Sequence, residues 1–150
     1  EKLSAKFRYE SFINVVEEPE QNLYPTSQKE VLFELLKYRN EHPNNKLIIT
    51  THSPYIINFI SIAIQGAYLK GKIDHSPNAD QLLHKLNQII ASDSLISGEN
   101  VLVCQLDEAD GTIRKLPTFD GIPSDNNLLN QMLAEGNTLF DTLLEIEQEL

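Results

Sequence analysis

Two short apolar runs, Phe12-Ile13-Asn14-Val15-Val16 and Leu47-Ile48-Ile49, each stop abruptly in polar residues. The first ends at Glu17-Glu18-Pro19, the second at Thr50-Thr51-His52-Ser53-Pro54. Runs of this kind are strand signals, and their continuous apolar character fits a buried sheet. Between them the period changes. Leu32, Leu35 and Leu36 form one stripe of a segment from Pro25 to His42, with Pro25 suited to a first helical turn and His42-Pro43-Asn44-Asn45 breaking the pattern. The order strand, helix, strand predicts two parallel neighbours whose carboxyl ends share an edge. That edge gathers Glu17, Glu18 and His52.

Downstream, Ser53 reads as the cap of a helix running to about Gln65, with Pro54 in its first turn and the isoleucine-rich stretch Tyr55–Ile64 buried. Gly66 to Asn78 is punctuated by glycine and proline and reads as a loop. Ala79 to Ala91 reads as a helix with Leu82, Leu83, Leu86 and Ile90 on one side. Residues 100–116 carry a hairpin that turns at Asp110-Gly111 and returns through Thr112–Leu116. Pro117, Gly121 and Pro123 mark a turn region, Ser124 caps a helix through Leu133, and Gly136 separates it from a last one. The acidic end, Asp141–Leu150, reads as a solvated face or, through Leu143, Leu144 and Ile146, as a dock for a partner helix. The expectation is one α/β domain over residues 1–150: a mostly parallel sheet, flanking helices and a C-terminal β-hairpin.

Carboxylates and an imidazole at the ligand-binding edge of an α/β sheet suggest metal–nucleotide chemistry. A structural alternative stands beside it. Negative charge after a strand favours the amino terminus of a following helix, and His52 can be a strand-end residue before a capped helix.

The stretch Glu17-Glu18-Pro19-Glu20-Gln21-Asn22-Leu23-Tyr24-Pro25, followed by Thr51-His52-Ser53-Pro54, resembles the ABC-type ATPases. The likeness is to the soluble branch that includes the overcoming-lysogenization-defect (OLD), RecF-like and SMC-like proteins and many bacterial "AAA ATPase" proteins. It covers roughly residues 11–60 and rests on two spaced motifs in order. Tyr24 stands where the branch more often has histidine. The resemblance implies a P-loop NTPase fold with ATP and Mg²⁺ as cofactors. It implies that Glu17 is the Walker B acid holding Mg²⁺ through water, and that Glu18 is the catalytic carboxylate that polarises the attacking water. Gln21, Asn22, Leu23 and Tyr24 would form the D-loop, which reaches the nucleotide across a head-to-tail homodimer, and His52 would sense the γ-phosphate. Such chemistry needs charge neutralisation and a positioned water more than covalent help.

The P-loop pattern Gly-x-x-x-x-Gly-Lys-Ser/Thr does not precede Ser11, and the family's signature motif is missing too. Lys2–Glu10 reads as the end of the helix that follows that signature. The expectation is a carboxyl-terminal piece of a longer ATPase, nearly inert alone, whose missing N-terminal half supplies the P-loop. The alternative is a non-catalytic protein-interaction module that keeps the fold without the loop.

Two other segments imitate motifs. Gly66–Ile73 fits P-loop spacing until Ile73, which has no hydroxyl for Mg²⁺, and it follows a helix rather than a strand. Asp107-Glu108-Ala109-Asp110 spells a helicase tetrad or suggests a Toprim-like acidic cluster, but a hairpin turn accounts for it better. No apolar run reaches membrane-span length, and no secretory or transit signal is visible. The single Cys104 excludes an internal disulfide, fits a reducing cytoplasm and is expected to pack on its strand. The four histidines show no metal spacing. A net charge of −10 repels phosphate backbones, so any nucleic-acid contact is expected elsewhere than on this chain.

Overall fold

The structure, a computed structural model, describes residues 11–107 and 109–150. The expected helix end at Lys2–Glu10 therefore lies outside the described residues, as does Glu108. In chain order the elements are β1 (Ile13–Glu17), α1 (Pro25–Asn40), β2 (Lys46–Thr50), α2 (Pro54–Ile73) and α3 (Ala79–Asn87). Two 3₁₀ turns follow at Ser92–Ser94 and Gly98–Asn100. Then come β3 (Cys104–Leu106), β4 (Ile113–Lys115), β5 (Thr118–Phe119), β6 (Ile122–Pro123) and α4 (Leu128–Gln148).

β1 and β2 pair in parallel, from Ile13 opposite Lys46 to Glu17 opposite Thr50. Their side chains alternate in burial. Val16, Leu47 and Ile49 are half-buried toward the helices, whereas Ile13, Val15 and Ile48 are exposed on the other face. The expectation of a mostly parallel sheet is corrected accordingly. Among the described residues there are three two-stranded sheets, of which only β1–β2 is parallel. The apolar runs suggest strands covered on both faces, but the helices here cover one.

Asn45, nearly fully buried, holds the entrance to this pair. Its Oδ1 accepts from the Phe12 N–H (3.1 Å) and its Nδ2 donates to the Tyr38 carbonyl (3.1 Å), tying the start of β1 to the end of α1. Leu32 and Leu36 of α1 meet Ile56, Ala63 and Ile64 of α2, and Leu86, Ile90, Leu95 and Ile96 close the core. Leu35 is only half-buried and Leu82 is exposed, so each predicted stripe is rotated slightly from the true one.

The loop expected at Gly66–Asn78 is another correction, because α2 continues to Ile73. A Cβ on Gly66 would lie 2.6 Å from Leu95 Cδ2, so the missing side chain is what admits the 86–96 segment against the helix. Lys70 pairs with Asp74 one turn on (3.0 Å), and Lys72 lies 4.3 Å from the centre of the Tyr68 ring. Both cations sit in the last turn, where the helix dipole favours them.

The C-terminal region differs too. α4 is one helix running through Gly136, which does not separate two. Its cap is Asn127, whose side chain accepts from the Asn130 N–H, rather than Ser124. The expected turn region forms a short hairpin, β5–β6, with Asp120 (φ 50°) and Gly121 (φ 79°) at its turn. Positive φ at both central positions is the geometry that matches strand twist. Gly121 also passes so close to Gly98 that a Cβ on Gly98 would lie 2.7 Å from the Gly121 Cα. Cys104, expected to pack, is exposed, because only alternate residues of the two-stranded β3–β4 hairpin face inward. Among the described residues no helix is long and apolar enough to cross a membrane.

Candidate functional site

The carboxyl ends of β1 and β2 hold the site. The ladder ends with Glu17 opposite Thr50, and the Glu18 N–H then donates to the Thr50 carbonyl (2.9 Å). Glu18 itself has φ 41°, in the left-handed region that a non-glycine residue rarely occupies. That turn lifts the chain off the sheet edge directly after the strand. It sends the Glu18 carboxylate toward the β2 end, where its Oε1 lies 3.4 Å from His52 Nε2. Gln21 Nε2 donates to the other oxygen, Oε2 (2.8 Å), so both oxygens of Glu18 have an orienting neighbour. The His52 side chain is 84% exposed and that of Glu18 35%, which leaves the pair open to a solution ligand.

Of the residues singled out in the sequence, Glu17, Glu18 and His52 do converge on one edge. The 21–24 stretch forms a turn, with Gln21 N–H bonded to the Glu18 carbonyl, Leu23 N–H to the Glu20 carbonyl, and Asn22 at φ 58°. Tyr24, 82% exposed, occupies the cap position of α1 ahead of Pro25. Gln21 thus faces Glu18, while Asn22 and Tyr24 face solvent.

Sequence reasoning assigned no role to Glu20, and the structure gives it one. Its Oε1 accepts from Thr51 Oγ1 (2.8 Å) and from the His52 N–H (2.7 Å), which pins the β2 end against the β1 turn. Its Oε2 is buried without a hydrogen-bond partner among the described residues. A second relay stands behind it. Ser53 Oγ donates to Gln28 Oε1 (2.6 Å), and Gln28 Nε2 donates to the Leu23 carbonyl (3.0 Å). Ser53 is therefore at the α2 cap position without capping, its hydroxyl being spent on α1. The only sequence sign of these contacts is the acid-x-x-acid run after the strand.

Whether these residues suit Mg²⁺ can be tested on their donors. Among the described residues no group of three or more His, Cys, Asp or Glu side chains could cage a metal. Mg²⁺ does not ask for a cage. It keeps several waters and takes one or two carboxylates plus substrate phosphates. Carboxylates of Glu17 and Glu18 at an open edge are donors of that kind.

The imitating segments separate cleanly. Gly66–Ile73 is helical, with no strand-to-helix loop to cradle a phosphate. Asp107 and Asp110 lie at the β3–β4 turn and are engaged by Arg114 Nη2 (3.2 and 2.8 Å). Asp110 also accepts from Thr112 Oγ1 (2.6 Å) and the Thr112 N–H (2.9 Å), and these bonds, the hydroxyl's first, hold its carboxyl below the ordinary value of 3.8. The acids are the hairpin's own fastening.

Residues 1–57 match the family model described as the AAA ATPase domain. The matched segment contains β1, the acidic turn, α1, β2 and His52. It supports an AAA-type ATPase family for that part of the chain, a family that in general uses nucleotide and Mg²⁺. No curated protein and no solved structure matches the chain.

Proposed function

We propose that this chain supplies the acidic strand end, the D-loop and the switch histidine of an ABC-type ATPase of the OLD/RecF/SMC-like soluble branch. The observation that carries the reading is the meeting of Glu18 with His52 across a parallel strand pair, inside the segment similar to the AAA ATPase domain. The phosphate-cradling loop comes from outside these 150 residues, since no Gly-x-x-x-x-Gly-Lys-Ser/Thr pattern occurs in them. Mg-ATP binds where that loop faces the β1 and β2 ends, at the interface of a head-to-tail homodimer.

Each residue then has a distinct task. Glu17 holds the metal through water, and the metal, when bound, neutralises charge between the phosphates. Glu18 accepts a hydrogen bond from the attacking water and orients it toward the γ-phosphorus, where the new P–O bond forms as the bond to ADP breaks. Gln21 and His52, one at each Glu18 oxygen, keep that carboxylate aimed. When nucleotide binds, the single N–H of His52 Nε2 turns from Glu18 Oε1 to a γ-phosphate oxygen. Glu20 holds the His52 backbone in place, which makes it a positioning residue. The turn at Gln21–Tyr24 leaves Asn22 and Tyr24 exposed, and in the proposed dimer they reach the facing protomer's nucleotide.

Calorimetric titration of this chain with Mg-ATP tests the division of labour, and no binding heat is expected without the loop. In an ATPase that joins this chain to its P-loop segment, Glu18→Gln should lower turnover by a factor on the order of a hundred or more, the range for losing a positioned acid–base group, and leave ATP affinity unchanged. Undiminished turnover in that variant would refute the role assigned to Glu18.

A further inference from the structure

Two surfaces built without any of residues 17–24 or 52 lack a partner and complement each other. The first is a cleft of about 440 Å³ between the last turns of α2 and α3. Leu69, Ile73, Leu82 and Ile89 make it apolar, and Lys72 and Lys85 stand at it as exposed cations. Leu69 and Ile89 are 40% and 64% exposed, so the cleft presents real hydrophobic area to solvent. Neither lysine makes an ion pair among the described residues.

The second is α4. From Gln131 onward every residue of it is exposed, and none of its side chains reaches the core. At about 100° per residue, Met132, Leu139, Phe140, Leu143 and Ile146 fall on one arc, each more than half exposed. A helix of this kind holds its shape by packing that arc against something. The helix contains no Lys, Arg or His. Glu135 borders the apolar arc and Glu147 lies within it in the last turn, where the negative end of the dipole makes a carboxylate unfavourable. What α4 needs is an apolar groove with cations beside it.

We propose that α4 of one copy of this chain docks in the α2–α3 groove of a second copy, with Glu135 and Glu147 meeting Lys72 and Lys85. Each copy carries both halves of the contact, so a reciprocal exchange closes as a two-fold dimer and leaves neither surface open. The contact is independent of the nucleotide reading and of the head-to-tail interface, because it uses none of residues 17–24 or 52.

Sedimentation equilibrium of the whole chain in nucleotide-free buffer tests it. Lys72→Glu/Lys85→Glu and Glu135→Lys/Glu147→Lys change only exposed positions, and far-UV circular dichroism checks that both variants keep their helices. The native chain should dimerise, and each double variant alone should associate on the order of tenfold more weakly or worse, since like charges now face each other. An equimolar mixture of the two variants should recover dimer, because both contacts in the mixed pair are again opposite in sign. Leu143→Ser, which leaves the charge unchanged, should weaken dimerisation as well. A monomer at all accessible concentrations, a dimer indifferent to these changes, or a cross-link joining α4 to the groove of its own chain would each overturn the proposal. A monomer would assign the groove and α4 to other partners.

Discussion

Glu20 shows what a single side chain contributes that its residue type does not announce. The acids Glu17 and Glu18 were legible because they end an apolar run, and His52 because it ends the next. Glu20's partners lie at Thr51 and His52, and only the parallel register brings them within reach. Charge-assisted hydrogen bonds to partly buried groups are worth about 1.5–3 kcal/mol. Glu20→Ala should therefore destabilise the fold by about 2 kcal/mol in urea unfolding, and Glu20→Gln, which keeps one accepting oxygen, by about half that. Equal losses would show that the charge carries the whole contribution, and no loss in Glu20→Gln that it carries none. Asp110 makes a pH prediction of opposite locality. Its folded carboxyl titrates below 3.8, so the ionised form is favoured by folding. That contribution is complete above the unfolded value and disappears as pH falls through the lower folded one. Asp110→Asn should thus flatten the acid sensitivity of the β3–β4 hairpin below pH 3.8, followed by amide shifts of Thr112 and Arg114, with no change at neutral pH beyond the lost bonds.

At the scale of elements, periodicity locates β1, α1, β2, α3 and the β3–β4 hairpin, and it misleads where a glycine looks like punctuation. In the sequence Gly66 looks like a helix end and Gly136 like a gap between helices, yet both lie inside helices. The reason at Gly66 is tertiary: the position is small because Leu95, Ile90 and Leu86 crowd it. Nothing local in the sequence shows that crowding. At Gly71 and Gly136 no atom lies within 4 Å of an added Cβ. Three substitutions separate the cases. Gly71→Ala and Gly136→Ala should each stabilise by about 0.5–1 kcal/mol, the helix-interior difference between the two residues. Gly66→Ala gains the same propensity but overpacks the core, a penalty of about 1–3 kcal/mol, so its net effect should be destabilising. Thermal unfolding of the three variants gives the signs. A Gly136→Ala variant no more stable than the parent would argue for a break in α4 after all. The mostly parallel sheet was misjudged for a related reason: Ile13, Val15 and Ile48 look like the second face of a covered strand, but no element packs on them among the described residues.

For the whole molecule the decisive quantity is the excess of 22 acidic over 12 basic side chains. The ion pairs among the described residues are at the surface, with Lys37–Asp93, Lys70–Asp74 and Arg114–Asp110 each substantially exposed on both sides. Pairs of that kind contribute about 0–1 kcal/mol and are screened by salt. Self-repulsion within a chain of charge −10 is screened as well, over a Debye length that shrinks from about 30 Å at 0.01 M to about 8 Å at 0.15 M. Repulsion involves every acid and outweighs a few weak pairs, so dilute protein should melt at a higher temperature in 0.15 M than in 0.01 M sodium chloride. The α4–groove contact responds in the opposite sense, because it joins local clusters of unlike sign, and its dimerisation should weaken over the same range. Salt thus raises the stability of the monomer while lowering its association. Differential scanning fluorimetry at low concentration reads the first effect and sedimentation at high concentration the second. A fall of both with salt would mean that attractive pairs, not net charge, govern this surface.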